Sequence, residues 1–275
     1  MKIAVTGGTG FVGSYVVEQL LHKKAQVIVT GTNKSTAQTK PWFHSVEFLQ
    51  VDVNAQIADN VIKAIASADA IIHLAWPHLD NFKNPAHYEN DLMPQYLFIK
   101  KLVEQGAKNI TVTGTCLEYG LQTGALSPGM NTVPVTAYGL AKETLHKFLL
   151  QLQKMHAYNL KWVRIFYTYG KGQSKNSLIP QLEAALERGD TVFNMSGGEQ
   201  LRDYLPVEKV AEKIINISLD PLLNGTFNCS SGKPVKVKDF VRDYLNSINK
   251  NIELNLGHYT YPDYEPMAFW GTDEI

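Results

Sequence analysis

Tyr138 and Lys142 stand four residues apart in a stretch, Ala137 to His156, that reads as a helix. Side chains at i and i+4 share a helix face, so the Lys142 ammonium is placed to stabilise a Tyr138 phenolate. A tyrosine of ordinary pKa, about 10, needs such help to exchange a proton near neutral pH. The spacing alone carries little: 13 tyrosines and 22 lysines in 275 residues give about one chance match, and Tyr96 with Lys100 and Tyr167 with Lys171 also fit. Context separates the three. Reacting groups in open α/β sheets gather at the carboxyl ends of strands. Tyr138 opens the helix that follows a strand ending in Thr113, Gly114 and Thr115, whereas Tyr96 lies inside an apolar helix and Gly170 interrupts the stretch after Tyr167.

A second chemical signal opens the chain. KIAVT reads as a strand and GGTGFVG as a turn into a helix, with Gly7, Gly8, Gly10 and Gly13 where backbone amides can approach a pyrophosphate. Val12, Val16, Leu20 and Leu21 then recur at helical spacing. No Lys-Ser or Lys-Thr follows the glycines, so the mononucleotide-binding loop pattern fails. A dinucleotide is the expected ligand. Its type is written after the second strand, where an acidic residue favours NAD. Gly31, Thr32, Asn33, Lys34 and Ser35 stand there instead, so NADP(H) is expected, with NAD(H) as the alternative. Asp52 and Val53 follow the third strand, where a carboxylate can accept from the adenine amino group or simply cap a helix.

Strands are expected near Lys2–Thr6, Val27–Thr30, Val46–Gln50, Ala70–Leu74, Asn109–Thr113 and Lys161–Phe166. Helices near Val12–His22, Ala55–Ile65, His87–Gln105 and Ala137–His156 alternate with them. This alternation predicts an α/β fold, a Rossmann-type doubly wound parallel sheet. After Tyr169 the pattern changes to a polar loop, helices near Leu178–Arg188, Val207–Leu219 and Lys238–Ile248, and strands near Thr191–Asn194 and Thr226–Cys229. The expected division is a dinucleotide-binding domain over 1–166 and 205–230 and a smaller C-terminal substrate lobe over 167–204 and 231–275.

Composition excludes other classes. A 44% hydrophobic chain of 275 residues fills a sizeable core, and 26 basic against 26 acidic residues give no electrostatic handle for nucleic acid. Two cysteines, Cys116 and Cys229, provide neither a disulfide framework nor zinc spacing, and no metal site is expected. No apolar run approaches a membrane span, and MKIAVTGG begins without a leader pattern, so an unprocessed cytoplasmic protein without a membrane partner is expected. His73, in an apolar strand, reads as a core residue.

The chain resembles the extended short-chain dehydrogenase/reductases, the NAD(P)-dependent sugar-nucleotide epimerase/dehydratase group. The resemblance rests on TGGTGFVG, HLAW, GTCLEYG, AYGLAK, RIFYTYGKGQ, RDYLPVEKVA and GTFNCSSG and covers nearly the whole chain. It implies Tyr138 as general acid/base, Lys142 as the nicotinamide-ribose ligand that lowers the tyrosine pKa, and Thr115 as the hydroxyl on the reacting oxygen. Gly7, Gly10, Phe11, Val12, Gly13, Leu74 and Ala75 are the implied cofactor wall. Trp76, Cys116, Tyr167, Asn176 and Leu178 are the implied substrate contacts, with Arg202 on the diphosphate of a nucleotide sugar.

Family dehydratases carry Asp-Glu after the catalytic threonine; Cys116 and Leu117 stand there, and Glu118 comes one place late. The expected activity is therefore NADPH-dependent reduction of a nucleotide-activated 4-keto-6-deoxy sugar, in which a hydride reaches carbon 4 and Tyr138 supplies the proton. An NAD-dependent 4-epimerase is the alternative. A non-catalytic NADP-binding regulatory protein is a third reading, disfavoured by the joint presence of Thr115, Tyr138 and Lys142. Tyr167 and Lys171 depart from the family's RxFNxYGP stretch and put the substrate's identity in question. Members often dimerise through four helices, a role open to the apolar helix around Pro94 to Val103, and a homodimer is expected.

Overall fold

KIAVT forms β1 (Lys2–Thr6) and the glycine turn opens α1 (Phe11–His22) in the computed structural model, which describes residues 1–272. The substrate-lobe segment expected over 231–275 thus ends in three positions, 273–275, outside the described residues. There follow β2 (Gln26–Gly31), α2 (Lys34–Gln38), β3 (Glu47–Gln50), α3 (Asp59–Ala66), β4 (Ala70–His73), α4 (Leu92–Glu104) and β5 (Asn109–Thr115). The middle of the chain gives β6 (Gly124–Leu126), α5 (Ala137–Met155), β7 (Asn159–Ile165) and β8 (Tyr167–Tyr169). Beyond it lie α6 (Leu178–Arg188), β9 (Val192–Met195), β10 (Leu201–Arg202), β11 (Tyr204–Pro206), α7 (Val207–Leu219) and β12 (Gly225–Cys229). The last elements are β13 (Val235–Lys236), α8 (Val237–Ser247), β14 (Glu253–Leu256) and β15 (Phe269–Gly271).

Seven strands form one parallel sheet in the order β12-β7-β5-β4-β1-β2-β3. The sheet is buried on both faces, which is why KIAVT and AIIH read as continuous apolar runs rather than alternating ones. On one face Ile62, Ile65, Phe98, Ile99, Leu145 and Leu149 of α3, α4 and α5 join a single core. On the other, Val16, Val17 and Leu20 of α1 pack with Val210, Ile214 and Ile215 of α7. Strand order reverses between β1 and β4, so the carboxyl ends of these strands flank a crevice. A separate apolar cluster, including Ile179, Leu182, Phe193, Val241 and Leu245, joins α6, β9 and α8 beyond the sheet.

The fold matches the expected class, with local differences. The helix expected from Ala55 begins at Asp59, because the Asp52 carboxylate accepts from the Asn54 amide at 2.9 Å and holds a turn there. The helix expected over His87–Gln105 divides into a π-helical turn, His87–Asp91, and α4. Pro94 then falls in the first turn of α4, where its missing N–H costs little. β5 runs two residues further than its apolar run, to Thr115. Outside the main sheet the strand expected near Thr191–Asn194 forms as β9, whereas the short helix α2 and the other two- to four-residue strands have no counterpart among the expected elements.

Candidate active site

A cavity of about 860 Å³ opens at the carboxyl ends of the central strands. Gly7, Gly10, Phe11, Val12 and Gly13 form one wall, and the turn fits a dinucleotide pyrophosphate by a steric criterion. A Cβ at Gly13 would lie 2.2 Å from the Gly7 carbonyl oxygen, and one at Gly7, whose φ is +69°, 2.8 Å from the Ala75 backbone. Only glycine therefore lets the turn close this tightly. No side chain caps the start of α1 and no acidic residue lies in its first turn, so its amides and dipole end face the cavity uncompensated.

Thr32, Asp52, Val53, Leu74 and Ala75 line the cavity as expected. Asn33 and Lys34 do not. The Asn33 carboxamide oxygen accepts from the Thr36 amide at 3.0 Å and caps α2, and Lys34 is the exposed first residue of that helix. The polar run after β2 is thus a helix start, and the cation expected beside the cofactor is outside the cavity wall. The strand end still presents no carboxylate, since Gly31 and Thr32 occupy it.

Thr115, Tyr138 and Lys142 line the same cavity. Thr136 caps α5 by accepting from the Gly139 amide at 3.0 Å, and the Tyr138 amide donates to the Phe82 carbonyl at 3.0 Å. Gly139 has no Cβ to meet the Leu117 carbonyl, which would lie 2.6 Å from it, so α5 seats directly on the turn that carries Thr115. The Thr115 hydroxyl oxygen accepts from the Leu117 amide at 3.3 Å, and the hydroxyl is also within hydrogen-bond reach of the neighbouring Cys116 thiol. Phe82 stacks on the Tyr138 ring at 5.5 Å, and His87 approaches it at 5.1 Å. Burial, with the Glu118 and Cys116 charges adding to it, raises the Tyr138 pKa well above 10.

Lys142 lines the cavity one helical turn from Tyr138. Its ammonium is buried over the Trp76 ring, 4.2 Å from the centroid, and 5.7 Å from that of Trp162. Burial lowers its pKa, with Glu118 acting in the opposite sense. The contacts of the ammonium are thus two indole faces, and burial holds the phenol protonated.

Trp76, Cys116, Tyr167, Asn176 and Leu178 line the other end. The Cys116 thiol is buried, which raises its pKa, and the nearby Glu265 charge adds to the shift. Arg202 does not reach the cavity. It is 2% exposed, donates to the Tyr167 hydroxyl at 3.2 Å and pairs with Glu265 at 3.1 Å. The diphosphate contact expected of it is instead an internal ion pair, while Tyr264 and Glu265 line the cavity. Asp203, its sequence neighbour, accepts from the Ser231 and Gly232 amides.

His73 is a satisfied core residue. Its Nδ1 lies 2.8 Å from the Thr6 hydroxyl and its Nε2 2.8 Å from Gln95 Oε1. Burial and then the Lys142 charge push its pKa down to about 3, against the Gln95 hydrogen bond. Phe82, Tyr204, Phe240 and Glu265 also line the cavity and carry no local motif; they arrive from segments far apart in sequence. Glu118, Glu143 and His146 come within 4.8 Å of one another, but the Arg164 guanidinium already bonds both carboxylates, at 2.6 and 3.5 Å. No helix among the described residues is long and apolar enough to cross a membrane.

The chain is 29% identical to the dTDP-6-deoxy-L-talose 4-dehydrogenase (NAD(+)) of Aggregatibacter actinomycetemcomitans, over 98% of this chain and 99% of that protein. It is 28% identical to a UDP-glucose 4-epimerase of Halalkalibacterium halodurans, over 88% and 78% of the two chains. The structure of a UDP-N-acetylglucosamine 4-epimerase from Methanobrevibacter ruminantium M1, in complex with UDP-N-acetylmuramic acid, superimposes with a TM-score of 0.87 at 20% identity. That match covers 99% of this chain and 89% of the epimerase, and it speaks to the fold alone. Residues 3–228 match the model of the NAD dependent epimerase/dehydratase family. With that match spanning the glycine turn, the strand ends and the Tyr138–Lys142 helix, the chain belongs to the NAD dependent epimerase/dehydratase family.

Proposed function

We propose that this protein is a nicotinamide-dinucleotide-dependent reductase of the 4-keto group of a nucleotide-activated 6-deoxy sugar. The observation that carries the reading is the convergence of Thr115, Tyr138 and Lys142 on one cavity with the glycine turn. The nearly full-length relative named as a 6-deoxy-talose 4-dehydrogenase supports the position of the chemistry, since oxidation at carbon 4 is the reverse of 4-keto reduction.

A bound reduced nicotinamide supplies the two electrons. Tyr138, held protonated by its buried setting, donates its phenolic proton to the oxygen at carbon 4. The Thr115 hydroxyl, which lines the cavity, donates to the same oxygen and stabilises the charge that develops there. Lys142, one turn of α5 beyond Tyr138 and seated on the indoles, would hold the nicotinamide ribose and offer its positive charge to the alkoxide-like transition state. Phe82, Trp76 and Leu117 exclude water around the phenol. The lobe of α6, β9 and α8 closes the nucleotide-sugar end through Asn176, Leu178 and Phe240.

NADPH is the preferred cofactor and NADH is accepted. No carboxylate at Gly31 or Thr32 repels a 2′-phosphate, and no cation in the cavity wall there binds one tightly. The second reading, a nucleotide-sugar 4-epimerase, is favoured by the relative named as a UDP-glucose 4-epimerase. The functional unit is a homodimer through α4 and α5, which expose Met93, Leu97, Leu140 and Phe148. Light scattering at micromolar concentration is expected to give twice the monomer mass.

The deciding experiment incubates the protein with a dTDP-linked 4-keto-6-deoxyhexose and NADPH. Loss of reduced cofactor in proportion to sugar converted is expected. Inversion at carbon 4 of UDP-glucose without net cofactor change would establish the epimerase instead.

A further inference from the structure

Glu118 is fully buried behind the cavity wall and does not line it. Its two carboxylate oxygens receive the Thr115 amide at 2.8 Å, the Trp162 indole N–H at 3.0 and 3.2 Å, and Arg164 Nε at 2.6 Å. All of these neighbours are N–H donors. A protonated carboxyl would have no acceptor for its O–H among them, so these hydrogen bonds and the Arg164 charge favour the anion, against burial, which raises the Glu118 pKa. Gly114 is glycine for the same reason: a Cβ there would lie 2.3 Å from Glu118 Oε1 and 2.3 Å from Trp162 Nε1.

Two consequences reach the cavity. The Glu118 bond to the Thr115 amide, with the Thr115 hydroxyl bonded to the Leu117 amide, closes a reciprocal cap on the turn Cys116–Tyr119 and so fixes the Thr115 side chain. The Trp162 indole, which donates its N–H to the carboxylate, lies 5.7 Å from the Lys142 ammonium. An indole hydrogen-bonded to an anion carries more electron density on its face and attracts a cation more strongly.

We propose that Glu118 is a positioning residue: it fixes the Thr115 turn and, through Trp162, seats the Lys142 ammonium. The inference rests on the reductase reading for its kinetic test. The titratable or charged groups that act on Lys142 or pack against its indoles are His73 on β4, His87 in the π-helical turn, Glu118 in the turn after β5 and His146 on α5, which stacks on the Trp162 ring at 4.6 Å; Tyr138 shares α5 with Lys142, and Arg164 on β7 pairs with both Glu118 and Glu143. Glu118 is the carboxylate that favours its charged form.

The test compares full-length wild type, Glu118→Gln and the double variant Glu118→Gln/Arg164→Gln, which removes both charges and leaves neither buried alone. With NADPH and a dTDP-linked 4-keto-6-deoxyhexose, kcat is expected to fall at least about tenfold in both variants while KM stays within about threefold. The basic limb of the kcat–pH profile moves to lower pH, and NADPH binding followed by nucleotide fluorescence weakens above neutral pH in the same variants. The double variant regains thermal stability lost by the single one without regaining rate. A stably folded double variant with wild-type kcat and a wild-type basic limb would overturn the proposal and leave Glu118 a purely structural residue. Should the wild type leave the keto sugar unreduced, the reductase reading fails. The pH dependence of NADPH binding, which needs no sugar, still decides the role of Glu118: an unmoved profile in Glu118→Gln, which keeps the Arg164 charge, refutes it.

Discussion

The Lys142 ammonium sits 4.2 Å from the centroid of the Trp76 ring, and the Trp76 indole N–H donates to His87 Nδ1 at 3.0 Å. The His87 Nε2 lies 3.0 Å from the Asn81 carbonyl oxygen, to which its N–H donates, so the ring is the neutral tautomer that orients Trp76. A desolvated cation–π contact is worth about 2 kcal/mol, or roughly thirtyfold. Trp76→Leu is therefore expected to lower kcat by up to roughly thirtyfold, and Trp76→Phe by less, in steady-state reduction assays. Equal kcat for Trp76→Leu and wild type would refute a role for the indole.

The buried ammonium also makes a stability prediction. An unfolded lysine titrates at about 10.4, and burial lowers the folded Lys142 below that. Between the two values the unfolded chain binds more protons, so stability rises with pH across this window, and below it the full cost of the buried charge is present. Lys142→Met is expected to raise the denaturation midpoint near neutral pH while reducing kcat at least about a hundredfold. A lower midpoint for this variant would show that the indole cage more than offsets desolvation.

Glycines, Tyr138, Lys142 and Thr115 were legible because each belongs to a pattern of a few residues whose geometry follows from a strand end or one helix turn. The Arg202–Glu265 pair was not legible for the opposite reason. Glu265 is 63 residues from Arg202 and returns to it only when the C-terminal segment threads β15 beside β6. Asn33 and Lys34 were misread because the same residue types serve a helix cap as well as a phosphate. Glu118, one place late for the dehydratase pattern, does not line the cavity. Its bonds to Trp162 and Arg164, both on β7 and more than forty residues away, have no expression in local spacing; only the reciprocal cap with Thr115 does.

Cofactor choice is testable at one position. Thr32 lines the cavity at the end of β2, whereas a side chain at Gly31 would meet Thr9 Oγ1 at 2.8 Å. Thr32→Asp is expected to weaken NADPH binding at least about tenfold and to leave NADH binding unchanged or improved, since the new carboxylate repels a 2′-phosphate. Titration of both nucleotides by fluorescence checks this; equal loss for the two would place Thr32 away from the ribose.

The Arg202–Glu265 pair, with Arg202 2% exposed, predicts a coupled stability effect. Breaking a buried pair from one side costs about 3–5 kcal/mol, whereas removing both partners is far milder. Arg202→Met is expected to be strongly destabilised in urea unfolding, and Arg202→Met/Glu265→Gln to recover much of the loss. Additive effects would mean that the two residues act independently.

The central claim, reduction at carbon 4 rather than internal inversion, is tested most directly with NADPH carrying deuterium at the reactive nicotinamide carbon. Incubated with a dTDP-linked 4-keto-6-deoxyhexose, the protein is expected to yield a 4-hydroxy sugar with one deuterium at carbon 4 for each cofactor oxidised, and Tyr138→Phe to yield almost none. A product without deuterium at carbon 4, or a Tyr138→Phe variant as active as wild type, would contradict the account.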